Sequence, residues 1–330
     1  MGSFDHPSLI SSVQDDAAKP MLWSPRPAVS GCRLSLDRTL SVPSADQTNK
    51  AVIFVVPHAS DTIECWSGED WVPRPLPYDL GATQTAKTLA LDISDCVTAT
   101  THDVFVRNVS GQWEIKFQEW GSTTARYSGG IPNGPNFHPD GLGLFQGRLV
   151  AITPHPASSG KCGSIQPDWL YLGTFYTSAA GKVDDRSPKR FLWNLFNQVP
   201  RPFLVRESTA SWTYSGTTIR QANASSANQV ACVTGLTQYV AVRVMMGFGN
   251  TASDFEIGIG VDSTTTFHSN GLVQYGGGNM NLEASLRHAA LGYRTYKWNE
   301  HSPTGAAAAT IYGDGGADRM QSGIDGEVWA

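Results

Sequence analysis

The sequence has few charged residues and no basic cluster. Only 16% of its 330 residues are Asp, Glu, Lys or Arg, against roughly 25% in an average soluble domain. The formal net charge is −5, whereas a protein that follows a nucleic-acid backbone usually carries a positively charged patch. We therefore expect no nucleic-acid partner.

Cysteine patterns that define a disulfide framework or a zinc site are also lacking. The five cysteines are odd in number and far apart: Cys32, Cys65, Cys96, Cys162 and Cys232. They form no CxxC pair and no Cys/His group at zinc spacing. This favours free cysteines in a reducing cytoplasm over a disulfide framework, and we predict no metal or other cofactor.

Long apolar runs are absent as well. Residues 1–30 contain no apolar stretch of signal-peptide length. No segment approaches the roughly 20 apolar residues of a membrane-spanning helix. We expect a chain that is made in the cytoplasm, is soluble, and has no membrane span.

The common catalytic motifs are missing too. The chain has no G-x-S-x-G and no H-E-x-x-H, and Ser159-Gly160-Lys161 lacks the rest of a phosphate-binding loop. Candidate carboxylate pairs for glycoside hydrolysis are Asp184 with Asp185, and Asp314 with Asp318. Neighbouring carboxylates usually point apart, so we interpret Asp184-Asp185 as a solvated turn near a helix N-terminus. The prediction is a protein that is not an enzyme.

Glycine, proline and aromatic residues are plentiful, with 33 Gly, 19 Pro, 10 Trp, 10 Tyr and 13 Phe. Disordered chains lack aromatics, so this composition indicates a turn-rich β-protein. Two hairpins are predicted, at residues 64–72 and 103–118, and eight or nine further strands follow residue 209. Strands at this spacing are typical of sandwiches or barrels. Most of the tryptophans are expected in the core, with a few free to stack on sugars.

The central segment is predicted to contain the one helix of the chain. A strand at Tyr171–Thr177 and a charged turn lead to Ser187, a good N-cap, and to Pro188 at the first helical position. The apolar stripe of this helix, expected to pack against a neighbouring sheet or subunit, consists of Phe191, Leu192, Leu195, Phe196 and Val199. Pro200 and Pro202 end it.

The predicted architecture is therefore all-β. It has two antiparallel β-sandwich or jelly-roll-like domains, residues 31–165 and 209–330, joined by a connector of one strand and one short α-helix at 166–208. An extended arm at residues 1–30 precedes them. The arm contains one short apolar run, Met21-Leu22-Trp23. The arm is either a free terminus or a segment that becomes ordered against a partner.

Several motifs give the chain a recognisable resemblance. The runs Leu170–Gly181, Lys189–Asn194 and Val199–Pro202 resemble a segment of tailed-bacteriophage virion proteins of the tail-fibre or receptor-binding kind. The similarity extends over about residues 31–330, through further matching segments: Arg33–Leu36, Ile53–Pro57, Trp66–Trp71, Leu89–Leu91, Asp103–Phe105, Ala210–Tyr214, Arg220–Ala222, Asn228–Val230, Gly258–Gly260, Ile311–Asp314 and Gln321–Gly323. The loop-rich region 121–165 departs from the usual pattern.

The resemblance implies a function and partners. It implies a virion structural protein, a short tail fibre or spike-like component used in host-surface attachment, and a homo-oligomer that is most often a trimer. Residues 1–30, with Met21, Leu22 and Trp23, would attach to other virion proteins of the tail, connector or capsid. Residues 209–330 would be the candidate for binding host-surface glycan. The alternatives are a head fibre or capsid decoration protein, and a glycan depolymerase with Asp314 as a carboxylate to test.

Overall fold

The computed structural model describes residues 30–78, 86–126, 135–152, 165–249, 255–271, 274–276, 280–305, 308–313 and 321–330. In these ranges the chain is built almost wholly from β-strands, so the predicted all-β class is confirmed. The virion-attachment residues Met21, Leu22 and Trp23 and the candidate carboxylates Asp314 and Asp318 lie outside the described residues.

The first part of the chain contributes ten strands within the described ranges. They are β1 (Cys32–Ser35), β2 (Gln47–Lys50), β3 (Val52–Pro57), β4 (Thr62–Trp66), β5 (Trp71–Pro75), β6 (Leu89–Asp92), β7 (Thr101–Val109), β8 (Gln112–Glu119), β9 (Gly143–Phe145) and β10 (Arg148–Ile152). Both predicted hairpins are present, because β4 pairs with β5 and β7 pairs with β8, each antiparallel.

The rest of the described chain contributes thirteen more strands. They are β11 (Ile165–Tyr176), β12 (Val183–Arg186), β13 (Lys189–Arg190), β14 (Leu192–Asn194), β15 (Pro200–Arg206), β16 (Ser211–Tyr214), β17 (Arg220–Gln221), β18 (Gln229–Gly249), β19 (Phe255–Val261), β20 (Gln274–Gly276), β21 (Met280–His301), β22 (Ala309–Tyr312) and β23 (Gly323–Trp329). A short 3-10 turn, Ala222–Ala224, lies between β17 and β18.

The strands form a large sheet and smaller ones that pack on a shared core. Strands β8, β7, β11, β10 and β9 lie in that order in one sheet, with β14 added beside β11. The large sheet is organised around β18 and β21, which pair antiparallel over most of their length. Strands in globular proteins average roughly five or six residues, so these strands of 21 and 22 residues can bring many neighbours together. A bulge between Thr234 and Gln238 bends β18 midway.

The predicted helix after Ser187 is wrong. Ser187 and Pro188 form a two-residue turn instead, across which Asp185 pairs with Arg190. Strand β13 then adds in parallel to β18, and β14 pairs with β11. The backbone hydrogen bonds of this segment are therefore made to neighbouring strands. A helix with one apolar stripe would also leave Trp193 and Asn194 exposed, yet both are about 1% exposed.

The apolar residues assigned to the helix lie in the core of this chain. Phe191 and Leu192 are buried, and Leu195 and Phe196 are partly buried and packed against the core. Val199 is half-buried, and its N–H donates to the Ala330 oxygen. These side chains pack between strands of the same chain. They do not form the face of a helix that lies on a sheet, as predicted.

The two halves of the chain make direct contacts. Strand β2 pairs with β12 and so joins the large sheet. Arg33 donates to the Asn197 carbonyl at 2.7 Å and to the Ala330 oxygen at 2.9 Å. One cluster of buried apolar side chains includes residues from Cys32 to Ala330. The domain boundaries at residues 165 and 208 remain predictions.

Two further findings concern the described residues alone. Cys32, Cys65, Cys96 and Cys232 are buried and free. Among the helical residues that the structure describes, no helix has the length and apolar character needed to cross a membrane.

Candidate functional site: buried ionic clusters and an exposed sheet face

Asp184 and Asp185 do not form a solvated turn, contrary to the sequence prediction. Both lie in β12 and are almost fully buried. They do point apart. Asp184 accepts hydrogen bonds from the Asn49 N–H and the Ser178 hydroxyl, at 2.9 and 3.2 Å. Asp185 faces the other side, where it pairs with two arginines.

The Asp185 carboxylate connects strands that are distant in sequence. It accepts from Arg190 at 3.2 Å and from Arg201 at 2.7 Å. Arg190 also donates to the Pro202 carbonyl at 3.0 and 2.7 Å. Burial lowers the pKa of Arg190, against the opposing effect of Asp185. Because every group here has a fixed partner, this cluster stabilises the fold.

A second buried cluster surrounds Arg126. Its guanidinium donates to both Asp103 carboxylate oxygens, at 2.6 and 2.9 Å, and to the Gly235 carbonyl at 2.7 Å. Thr174 donates to the same carboxylate at 2.7 Å. Burial alone would lower the pKa of Arg126, but Asp103, Tyr171 and Asp140 together outweigh this effect, so the pKa lies above its ordinary value. The cluster ties β7 and β11 to β18.

A third cluster contains Glu300, whose side chain is inaccessible to solvent. It accepts from Trp212 Nε1 at 2.9 Å and from Arg220 Nε at 2.8 Å. Burial raises the pKa of this carboxyl. Across the described residues, no group of three or more His, Cys, Asp or Glu side chains is placed to hold a metal ion.

The outer face of the large sheet is the most prominent surface. Strands β15, β23, β18 and β21 lie side by side there. Leu204 pairs with Asp325, Asp325 with Arg243, and Arg243 with Ser285. Residues paired directly across strands share a face, so this row marks the outer side. The alternate residues Phe203, Ile324, Val242, Val244 and Leu286 point inward and are buried.

Four large apolar side chains lie on this outer face and are exposed. Tyr239 is 64% exposed, Trp329 49%, Leu204 44% and Met245 41%. Ala241 pairs with Glu327 in antiparallel strands. Tyr239 precedes Ala241 by two residues and Trp329 follows Glu327 by two, so both lie at the same end of the face. Leu204 and Met245 border one groove at the other end, and exposed apolar side chains grouped in this way mark protein or ligand interaction sites. We define the outer face by these four residues.

Charged and polar groups surround the apolar residues of the outer face. Arg243 binds Asp325 through two hydrogen bonds of 3.1 and 2.8 Å. The Arg287 guanidinium lies 5.4 Å from the centre of the Tyr239 ring. A groove of about 360 Å³ lies between Leu204, Met245 and Asp325. The register places Arg243, Asp325 and Glu327 between the Tyr239–Trp329 end and Met245, so the face mixes apolar and charged side chains, as non-obligate interfaces do.

Sequence reasoning missed the outer face, although part of its signal was visible. The run Tyr239–Met245 has the alternation of a strand, in which Tyr239, Ala241, Arg243 and Met245 form one side. The residues between them, Val240, Val242 and Val244, are all apolar and therefore mark the side of the strand that faces the core. The sequence alone does not show that β15 and β23 place Leu204 and Trp329 beside it.

No family model matches this chain, and no curated protein matches it. Solved structures give weak similarities. The insecticidal δ-endotoxins Cry8Ea1 and Cry4Aa of Bacillus thuringiensis match with TM-scores of 0.26 and 0.22, each at 9% identity. The matches cover 86% and 87% of this chain, which spans about half of each toxin chain, 49% and 50%.

A structure of infectious bursal disease virus matches with a TM-score of 0.21 and 9% identity, over 87% of this chain and 81% of that chain. TM-scores this low do not indicate a common fold. The functions of these proteins are therefore not transferred to this chain.

Proposed function

We propose that this chain is a bacteriophage virion structural protein, a short tail fibre or spike-like component that acts in host-surface attachment. The sequence resemblance over about residues 31–330 supports this proposal, as does the all-β fold. The proposed partners are further copies of the chain and other virion proteins, and the site of action is the virion.

The observation that carries the proposal is the exposed outer face. A chain that worked alone would keep Tyr239, Trp329, Leu204 and Met245 in water, where a large apolar patch promotes association. Burying them against another copy of the chain removes that patch, and obligate interfaces are rich in apolar and aromatic residues. The outer face is thus the proposed contact between subunits of the homo-oligomer.

The residues that carry the resemblance support a shared scaffold. Tyr171, Phe175, Trp193 and Asn194 are buried, and Asn194 bonds the backbone of Leu34 through both its amide atoms. These residues hold strands together and do not form an exposed site. The specificity of attachment would then depend on surface residues outside the shared motifs.

Locating the protein on assembled particles tests the proposal. Gold-labelled antibodies raised against the purified chain are applied to particles from a host that carries its coding sequence, and the particles are imaged by electron microscopy. Label on the tail supports the proposal, and label on the head supports the head-fibre or decoration alternative. Particles that carry no label, beside cells that contain the protein, contradict a virion role.

A further inference from the structure

A cleft of about 490 Å³ lies next to the β12–β13 turn, away from the outer face. It is bordered by that turn, by Val205 of β15, by the segment entering β18 and by Tyr293 of β21. Sites for small ligands usually have volumes of roughly 300 to 1,000 Å³. The cleft is therefore large enough for a sugar residue.

The floor of this cleft is aromatic and fixed in place. The rings of Tyr176 and Tyr293 stack with centres 3.9 Å apart and planes 11° from parallel. Phe191 contacts both rings edge to face, at 5.1 and 5.6 Å. Phe191 and Tyr176 are buried, whereas Tyr293 is half-buried. Of these three rings, Tyr293 is the one with an accessible surface, and the other two hold it in place, so the C–H groups of a sugar ring can pack against it.

The tyrosine hydroxyls of the floor stay protonated at neutral pH. Burial raises the pKa of both Tyr176 and Tyr293. Protonated hydroxyls can both donate and accept hydrogen bonds, and the two tyrosines hydrogen-bond to each other. The Gln229 amide and the Ser226 hydroxyl border the same cleft and add further polar groups.

The rim of the cleft carries two cations, Arg186 and Lys189, and the carboxylates of Asp184 and Asp46 lie beside the same turn. Arg186 and Lys189 lie 4.0 and 3.8 Å from the Asp184 carboxylate, and their side chains are about one third exposed. Asp184 instead takes its hydrogen bonds from Asn49 and Ser178. Arg186 Nε has no hydrogen-bond partner among the described residues. That atom is buried, but both side chains border the cleft, and among the described residues neither has an ion pair shorter than 3.8 Å, so each can bind an anion there.

We propose that this cleft binds a carboxylate-bearing sugar, such as a hexuronic acid residue of a bacterial surface polysaccharide. The sugar ring would lie over the aromatic floor, and its carboxylate would bind Arg186 and Lys189 through charge-assisted hydrogen bonds. With two cations in the cleft and a net charge of −5 on the chain, one acidic group is a better match than a continuous polyphosphate. This inference rests on the proposed function for the source of the polysaccharide.

The test compares two small probes that differ only in the carboxylate. Methyl β-D-glucuronide and methyl β-D-glucoside are titrated into the full chain, and binding is followed by saturation-transfer NMR and calorimetry. We expect the glucuronide to bind about tenfold more tightly or better, since one charge-assisted contact contributes roughly that factor. Added salt weakens glucuronide binding and leaves glucoside binding unchanged.

The variant Arg186→Gln/Lys189→Gln should lose the preference for the glucuronide and keep the weaker affinity for the glucoside. The control Arg74→Gln/Lys87→Gln removes the same charge at a distance from the cleft and should behave as wild type. Equal affinity for both probes in the wild type, an unchanged preference in the cleft variant, or no glucuronide binding at any soluble concentration overturns the inference.

If the cleft variant fails to fold, the salt titration of the wild-type chain still tests the inference. Glucuronide binding that does not weaken with added salt would overturn it. The result is also separate from the virion proposal. Glucuronide binding by a chain that is absent from particles would contradict the virion role and leave the cleft assignment standing.

Discussion

At the residue scale, the Asp103–Arg126 pair is the ionic contact on which stability depends most. Both side chains are only 4% exposed. Removing one member of a buried pair leaves the other charge without compensation, which typically costs about 3–5 kcal/mol. We predict this loss in the free energy of unfolding for Asp103→Asn, measured by urea denaturation.

An exposed pair is the control for this prediction. Glu114 is 45% exposed and accepts from Arg107 at 2.8 Å. Solvent screens such pairs, so Glu114→Gln should cost less than about 1 kcal/mol. Equal losses for Asp103→Asn and Glu114→Gln would contradict the role assigned to the buried cluster.

His102 predicts a dependence of stability on pH. It stacks on Phe175 at 4.8 Å and is about 1% exposed. Burial lowers its pKa from 6.5 to about 4. As pH falls from 6.5 to 4, the unfolded chain gains a proton on this residue and the folded chain does not. Stability is therefore lost over that window, by up to about 3 kcal/mol at its acid end.

The variant His102→Phe keeps an aromatic ring in the stack and removes the titrating group. We predict a smaller fall in the free energy of unfolding between pH 6.5 and pH 4 than in the wild type. An unaltered pH dependence in His102→Phe would show that the buried imidazole is not its cause.

At the element scale, the bulge in β18 depends on a missing side chain. A Cβ at Gly235 would lie 1.9 Å from the Tyr171 hydroxyl oxygen and 2.5 Å from the Thr174 hydroxyl oxygen. Both residues are fully buried and cannot move aside. Overpacking of this kind costs about 1–3 kcal/mol, so Gly235→Ala should lower the thermal midpoint clearly.

Gly271→Ala is the matched control for this substitution. The nearest atom to its added Cβ is the His268 carbonyl oxygen at 3.2 Å, and the next atoms are 3.9 Å away. We expect a change within about 0.5 kcal/mol, as for most surface substitutions. A wild-type midpoint for Gly235→Ala would contradict the tight packing of β18 on β11.

Local sequence patterns predicted some of the strands correctly and others wrongly. Period-2 alternation of residue types identified the hairpins, and in β4 buried residues do alternate with half-buried ones. The segment after Ser187 was misread because strands buried on both faces show no alternation. Arg190 and Asn194, which a helix would place on the face opposite the stripe, and Trp193 are buried by strands that arrive from elsewhere in the chain. That information is long-range and absent from local spacing.

The candidate sites were predictable only in part. The aromatic residues of the cleft, Tyr176 and Tyr293, are 117 positions apart in the printed sequence and meet only because the fold brings the end of β11 against β21. Asp184 and Asp185 were correctly expected to point apart, but their burial was not expected. The outer face likewise depends on the order of strands in the sheet.

At the scale of the whole molecule, the outer face predicts association between chains. The variant Tyr239→Ser/Trp329→Ser removes the two most exposed aromatics of that face. Aromatic residues at interface centres typically contribute about 2 kcal/mol or more each, so the oligomer should dissociate at concentrations where the wild type stays assembled. Sedimentation velocity gives the mass in solution.

The control for association removes apolar side chains elsewhere on the surface. Leu40 and Val97 are 50% and 55% exposed, away from the outer face. Leu40→Ser/Val97→Ser should keep the wild-type mass. If the Tyr239→Ser/Trp329→Ser variant also keeps it, or if the wild type is a monomer, the outer face is not the subunit contact.

The presence of the chain in assembled particles tests the virion role most directly. Gradient-purified particles are digested, and peptides of this chain are quantified by mass spectrometry against those of the most abundant particle protein. The virion proposal predicts a fixed copy number per particle that is a multiple of the oligomer size found in solution. Particles of full composition that contain no peptide of this chain would contradict it.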